Sequence, residues 1–258
     1  MLKHRAVSNS YIDRIRLGFF VLSILFVSPD IALCEPASVP VSKATTALFA
    51  QIAEDGLSGT VNGGNLSIIK AACQQAHSDP DGKDWSDDSD AGVAKIFRFT
   101  DRETAKMLNL AASVDTNSED RAKFLHQFGL VLRGLQEFYL KSNYLELKLE
   151  ASNNQIDPYN VELINWTKVG HDARSIAIAG YKFGDYDKSS PKLPEGAKSF
   201  DKATYYSIAK ELAVKESLRE WNTIERLIRV KYPQRATDIV TALKTASCPA
   251  DIKFDVDD

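Results

Sequence analysis

Ionisable side chains recur at helical spacing between residues 126 and 141. Arg133, Glu137 and Lys141 stand at i, i+4 and i+8, so a helix places them on one stripe, and His126 lies on nearly the same stripe because seven residues are almost two turns. A carboxylate between two cations bonds to both, which predicts a charge ladder. Glu216 and Glu220 continue the stripe of Ala209 and Ala213 on a later helix and are expected to face that ladder, closing a buried polar network.

Metal chemistry is the other use of such groups. Beyond residue 34 the histidines are His77, His126 and His171, and with Glu137 and Asp172 they form the candidate ligand set. Their positions lack ligand spacing, so they serve only if the fold brings them together. The plainer expectation makes His77 a surface residue, His126 a helix-face or partly buried histidine, and His171-Asp172 a loop or capping pair. Nucleophilic catalysis finds no Gly-x-Ser-x-Gly, Walker or Cys-x-x-Cys pattern to build on. The aspartates at 79, 81, 84, 87, 88 and 90 read as an exposed loop, since Lys83 and Asp84 break the calcium-loop pattern.

Helices must position these residues. Apolar spacing predicts them over 42–56, 66–77, 100–114, from 118 through the 133–141 stripe, 159–166, 202–231 and 234–246. Thr100-Asp101-Arg102-Glu103 has capping-box spacing and is expected to open the third, while Ser118 with Glu119 and Asp120 opens the fourth. Leu125, Phe128, Leu132, Leu135, Tyr139 and Ser142 give that fourth helix a full apolar side. Some β character appears only at 174–183, and 184–199 reads as a polar loop.

The composition agrees. Of 258 residues 44% are hydrophobic, enough for a core, and only 13 Gly and 9 Pro favour helices over short strands. The fold class expected is all-α, a single multi-helix domain with long loops over residues 35–258. With 32 Lys+Arg against 35 Asp+Glu the chain offers no basic footprint for nucleic acid. Lys3, Arg5, Arg14 and Arg16 precede an apolar run at 17–27 that is too short to span a bilayer, and Ala32-Leu33-Cys34 supplies small residues at the -3 and -1 positions. Residues 1–34 are therefore expected to be a cleaved signal peptide, without a stable transmembrane anchor. The competing reading, a lipid on Cys34, wants a small residue where Leu33 stands. A secreted or periplasmic chain meets oxidising conditions, and its remaining cysteines, Cys73 and Cys248, are expected to form a disulfide.

The segment 128–146 reads FGLVLRGLQEFYLKSNYLE. It resembles the Het-C-like group of the zinc-dependent phospholipase C superfamily, whose helix carries His-x-x-x-Asp-Phe-Tyr-x-His-Ser-Asn-Tyr/Trp-x-Glu. Gln136, Phe138, Tyr139, Ser142, Asn143, Tyr144 and Glu146 fall in register with it. Gly180-Tyr181, the run 187–191 and the alanines at 203, 209 and 213 follow in the family's order, so the resemblance covers about residues 120–230. It implies a helical fold and, in the family, zinc ions that activate water against a phosphodiester. The family's two histidines and aspartate fall here at Arg133, Lys141 and Glu137, and its later histidine at Phe200. Neither Arg nor Lys ligates zinc as histidine does, so of these only Glu137 remains a ligand candidate. The resemblance thus implies a catalytically degenerate relative that serves as a binding or structural module for a protein or lipid partner, with no cofactor. The alternative is an active phosphodiester hydrolase with a displaced zinc site.

Overall fold

Apolar residues at 3-4 spacing build seven α-helices and no strand among the described residues, which in this computed structural model are 43–75, 91–142, 144–153, 156–166, 204–249 and 254. The helices are α1 (Lys43–Leu57), α2 (Gly63–Cys73), α3 (Ala91–Leu110), α4 (Ser118–Lys141), α5 (Tyr144–Ala151), α6 (Tyr205–Lys231) and α7 (Ala236–Thr245), with a 3-10 turn at Pro158–Asn160. All belong to one compact unit, Pro40–Asp258. The chain is all-α as its composition predicts. None of the described helices is long and apolar enough to cross a membrane.

Helix α4 is the centre. It packs on α2, α3 and α6, and every residue from 131 to 140 is buried. A helix enclosed on all sides favours apolar residues and bonded polar groups: in α4 Phe128, Leu132, Leu135 and Phe138 fill the core and Arg133, Glu137 and the Gln136 amide nitrogen find partners, while Gln136 Oε1 is left without one. Asn117 caps its start by accepting the Glu119 and Asp120 N–H groups, one residue earlier than the sequence suggested. Close approach is set by two glycines. A Cβ on Gly129 would stand 2.5 Å from the Ile69 carbonyl oxygen, and one on Gly56 would stand 2.8 Å from that of Val214, so α2 meets α4, and α1 meets α6, almost backbone to backbone.

Helix starts and ends moved where burial outweighed local signals. Thr100 lies inside α3, not at its start, and Glu103 turns to Gln127, Arg102 and Lys106 instead of back toward the Thr100 N–H. Ile96, buried one turn earlier, carries the apolar stripe back beyond the expected cap. The helix expected at 159–166 is only the 3-10 turn followed by an irregular stretch, because Asp157 and Pro158 favour a tight turn there. A true capping box does open α6, where Thr204 and Ser207 bond each other's backbone N–H. Residues 1–34, where a signal peptide is expected, residues 79–90, expected as a loop, the 174–183 and 184–199 segments and Phe200 lie outside the described residues.

Candidate functional site

Two polar clusters leave α4 on different sides. The first is the upper half of the expected ladder. Arg133, 1% exposed, donates from Nε (2.9 Å) and Nη2 (2.7 Å) to Glu137 Oε1, and from Nη1 (3.0 Å) to the Cys73 carbonyl at the end of α2. Its guanidinium carbon stands 3.4 Å from the ring centroid of Phe49, on α1. A stacked, forked arginine suits a buried ion pair because its charge is diffuse and its donors are preorganised. The Lys141 side chain lies outside the described residues.

These positions do not fit zinc. A guanidinium fills the place of the first ligand and keeps its proton at any working pH, and Glu137 spends one oxygen on two of its N–H groups. His126 is engaged by other partners. It is buried, bonds Gln75 through Nε2 (3.0 Å) and stacks on Phe254 at 4.1 Å, and burial pushes its pKa down to about 4. Among the described residues no three His, Cys, Asp or Glu side chains converge as a metal would need. His77, His171 and Asp172 lie outside them, as does Asn143.

The second cluster joins α4 to α6, and it corrects the expectation that Glu216 meets the ladder. Glu216, fully buried, accepts from Tyr139 Oη (2.7 Å), Trp166 Nε1 (3.1 Å) and Arg219 Nη2 (2.5 Å). Tyr139 Oη in turn accepts the Ile164 N–H at 3.0 Å, tying the irregular 161–165 stretch to the core. Burial, then the Glu216 charge, hold the Tyr139 phenol well above its ordinary pKa, so it stays a donor. Gln136 donates to Ser217 Oγ (3.0 Å) one step along the same interface. Phe138, Tyr139, Tyr144 and Trp166 interlock around it with centroids 5.0–5.8 Å apart, edge-on except for the tilted Phe138–Tyr144 pair. Ser142 ends α4, and its Oγ accepts the Tyr144 N–H (3.3 Å), while Glu146 sits in the first turn of α5. The motif residues thus build a helix corner and an aromatic wall.

No match is found for this chain among protein-family models, curated proteins or solved structures. The family resemblance therefore rests on the residues of 128–146 and their downstream company.

Glu220, one turn beyond Glu216, is 8% exposed and makes no hydrogen bond or ion pair among the described residues. Burial first, and the Glu216 charge second, raise its pKa to about 7. Beside this pair the outer face of α6 opens into a groove of about 560 Å³. Lys215, Arg219 and Arg226 line it with Asn222 and Thr223, and Leu163 and Leu218 supply apolar wall. Arg219 belongs to both places, bonded to Glu216 on one side and facing the groove on the other. Sequence reading missed this groove because its wall comes from an irregular stretch some 50 residues away from Lys215.

The expected disulfide is not formed: both cysteines are free thiols. Cys73 is fully buried at the α2–α4 contact, where its Sγ donates to the Gly129 carbonyl (3.3 Å), and burial raises its pKa to about 12. Cys248 is half-buried beyond α7 beside Arg121. An even cysteine count cannot say that the two thiols are held by different partners.

Proposed function

We propose that this chain is an exported, catalytically degenerate relative of the Het-C-like zinc-dependent phospholipases C and works as a binding or structural module for a protein or lipid partner. The Arg133–Glu137 ion pair carries the reading. It takes the stripe on which the family's zinc ligands stand, and it is buried, made by two guanidinium N–H groups on one Glu137 oxygen, and stacked on Phe49. A carboxylate so engaged gains more from its guanidinium than from a cation with one ligand. The motif residues that do persist, Phe138, Tyr139, Ser142 and Tyr144, have structural work in the α4–α5 corner.

The test is phosphodiester hydrolysis. The full chain incubated with zinc and bis(4-nitrophenyl) phosphate should release 4-nitrophenol no faster than buffer with zinc alone. Release that rises with protein concentration and stops on chelation would replace this reading with the displaced-site hydrolase, for which His77, His126, His171, Asp172 and Glu137 are the residues to substitute first.

A further inference from the structure

Beyond α7 the chain is tied to the rest of the fold by two kinds of contact. Next to the helix, the carbonyl oxygens of Ala246 and Ser247 accept Asn65 Nδ2 (3.0 Å) and Arg121 Nη2 (2.7 Å), and Cys248 packs against the core. An amide and a guanidinium keep such bonds at any working pH. Phe254, the last described residue, is held differently: its ring lies flat on the imidazole of His126, with 4.1 Å between centroids and 10° between planes. That ring covers one face of a side chain that is 7% exposed.

The imidazole edge is committed as well. Gln75 Nε2 stands 3.0 Å from His126 Nε2, and an amide nitrogen only donates, so His126 Nε2 accepts and carries no proton. A proton placed there sets two donors against each other and charges a ring that lies under an apolar cover. The attraction of an imidazolium for the Phe254 face offers less than the hydrogen bond and hydration forgone. Ionisable groups on the neighbouring elements are engaged elsewhere. On α4 Lys123 pairs with Glu119, Arg121 bonds main-chain carbonyls and Arg133 pairs with Glu137; α3 brings Glu103, bonded to Gln127 and Arg102, and α2 brings the Cys73 thiol, bonded to the Gly129 carbonyl. Lys253 and Asp255, which flank Phe254 in the sequence, lie outside the described residues.

We propose that Phe254 and His126 form an acid-released latch, which holds the C-terminal end of the chain against α4 while the imidazole is neutral and lets it go when the imidazole is protonated. The direction follows from linkage. Covered, His126 titrates near 4; uncovered, it moves toward 6.5, so protons favour the open latch and it opens as pH falls from 6.5 toward 4. Opening presents Ile252, Phe254 and Val256, which alternate with Lys253, Asp255 and Asp257.

Nuclear magnetic resonance of the labelled full chain tests the latch through two readouts, the His126 ring titration and the heteronuclear Overhauser effect of the Phe254 amide. In the parent, that effect should fall between pH 7.5 and pH 4.5 while the α4 amides keep theirs. Phe254→Ala should raise the His126 pKa by about one unit or more, a tenfold change in proton affinity. His126→Gln should make the Phe254 signal independent of pH, and Asp255→Asn should leave its pH dependence in place. An unchanged His126 pKa in Phe254→Ala would overturn the proposal, as would a Phe254 signal that is the same at both pH values in the parent. So would α4 amides that lose order in step with Phe254, a pH dependence that survives His126→Gln, or one that vanishes in Asp255→Asn.

Discussion

Two buried titratable side chains pull the stability of this protein in opposite directions with pH. His126 titrates near 4 in the folded chain against 6.5 when free, so the unfolded state takes its proton first and stability is lost as pH falls from 6.5 to 4. Glu220 titrates near 7 against 4.5, so the folded state keeps its proton longer and stability is lost as pH rises from 4.5 to 7. Over the shared interval each slope is about 1.4 kcal/mol per pH unit and the two oppose one another. Glu220→Gln removes one side of the balance. Urea midpoints should show it near the parent at pH 4.5 and more stable by about 3 kcal/mol at pH 8. His126→Gln should instead gain on the parent as pH falls below 6.5. Parallel pH profiles for parent and Glu220→Gln would mean that the carboxyl is ionised and solvated at neutral pH. The Arg133–Glu137 pair was legible from its i, i+4 spacing alone. The Tyr139–Glu216 bond was not, because 77 residues separate its partners and no local pattern links them.

At the scale of elements, the tight meeting of α2 and α4 depends on Gly129. Alanine is the better helix former by about 1 kcal/mol, yet its Cβ would sit 2.5 Å from the Ile69 oxygen and 2.6 Å from the Ala72 Cβ, and neither is the end of a flexible side chain. Overpacking of that kind costs about 1–3 kcal/mol, and forcing a backbone carbonyl aside falls at the upper end. Gly129→Ala should lower the urea midpoint by the equivalent of about 2 kcal/mol. Gly63→Ala, with open space around it, should leave the midpoint nearly unchanged. A stabilised Gly129→Ala would show that the two helices separate at little cost. Helices α1, α2, α4, α6 and α7 were readable from apolar spacing, with ends displaced by a few residues. Helix α3 was read too short because the Thr100–Glu103 spacing mimics a cap, and capping strength is small beside the burial of Ile96. Helix α5 was not read from the sequence, because the eight residues Tyr144–Ala151 are too few for a clear apolar period of their own.

For the whole molecule, the sequence carried the all-α class through composition and periodicity, while the pairing of distant groups came only with the fold. The free thiols are one such case and the α6 groove another. The central claim is that an ion pair enclosed by α1, α2 and α4 occupies the stripe where the resembling family holds zinc. Such a pair resists loss of one partner far more than conversion of the whole set, since a lone buried charge is the costly state. Arg133→His, Glu137→Asp and Lys141→His together remove both permanent cations and restore ligand chemistry at i, i+4 and i+8. The most direct measurement is calorimetric titration of zinc into the full-length parent and this triple variant at the same pH. The account expects no specific zinc binding by the parent and measurable affinity in the triple variant; near-stoichiometric, tight zinc binding by the parent would contradict it.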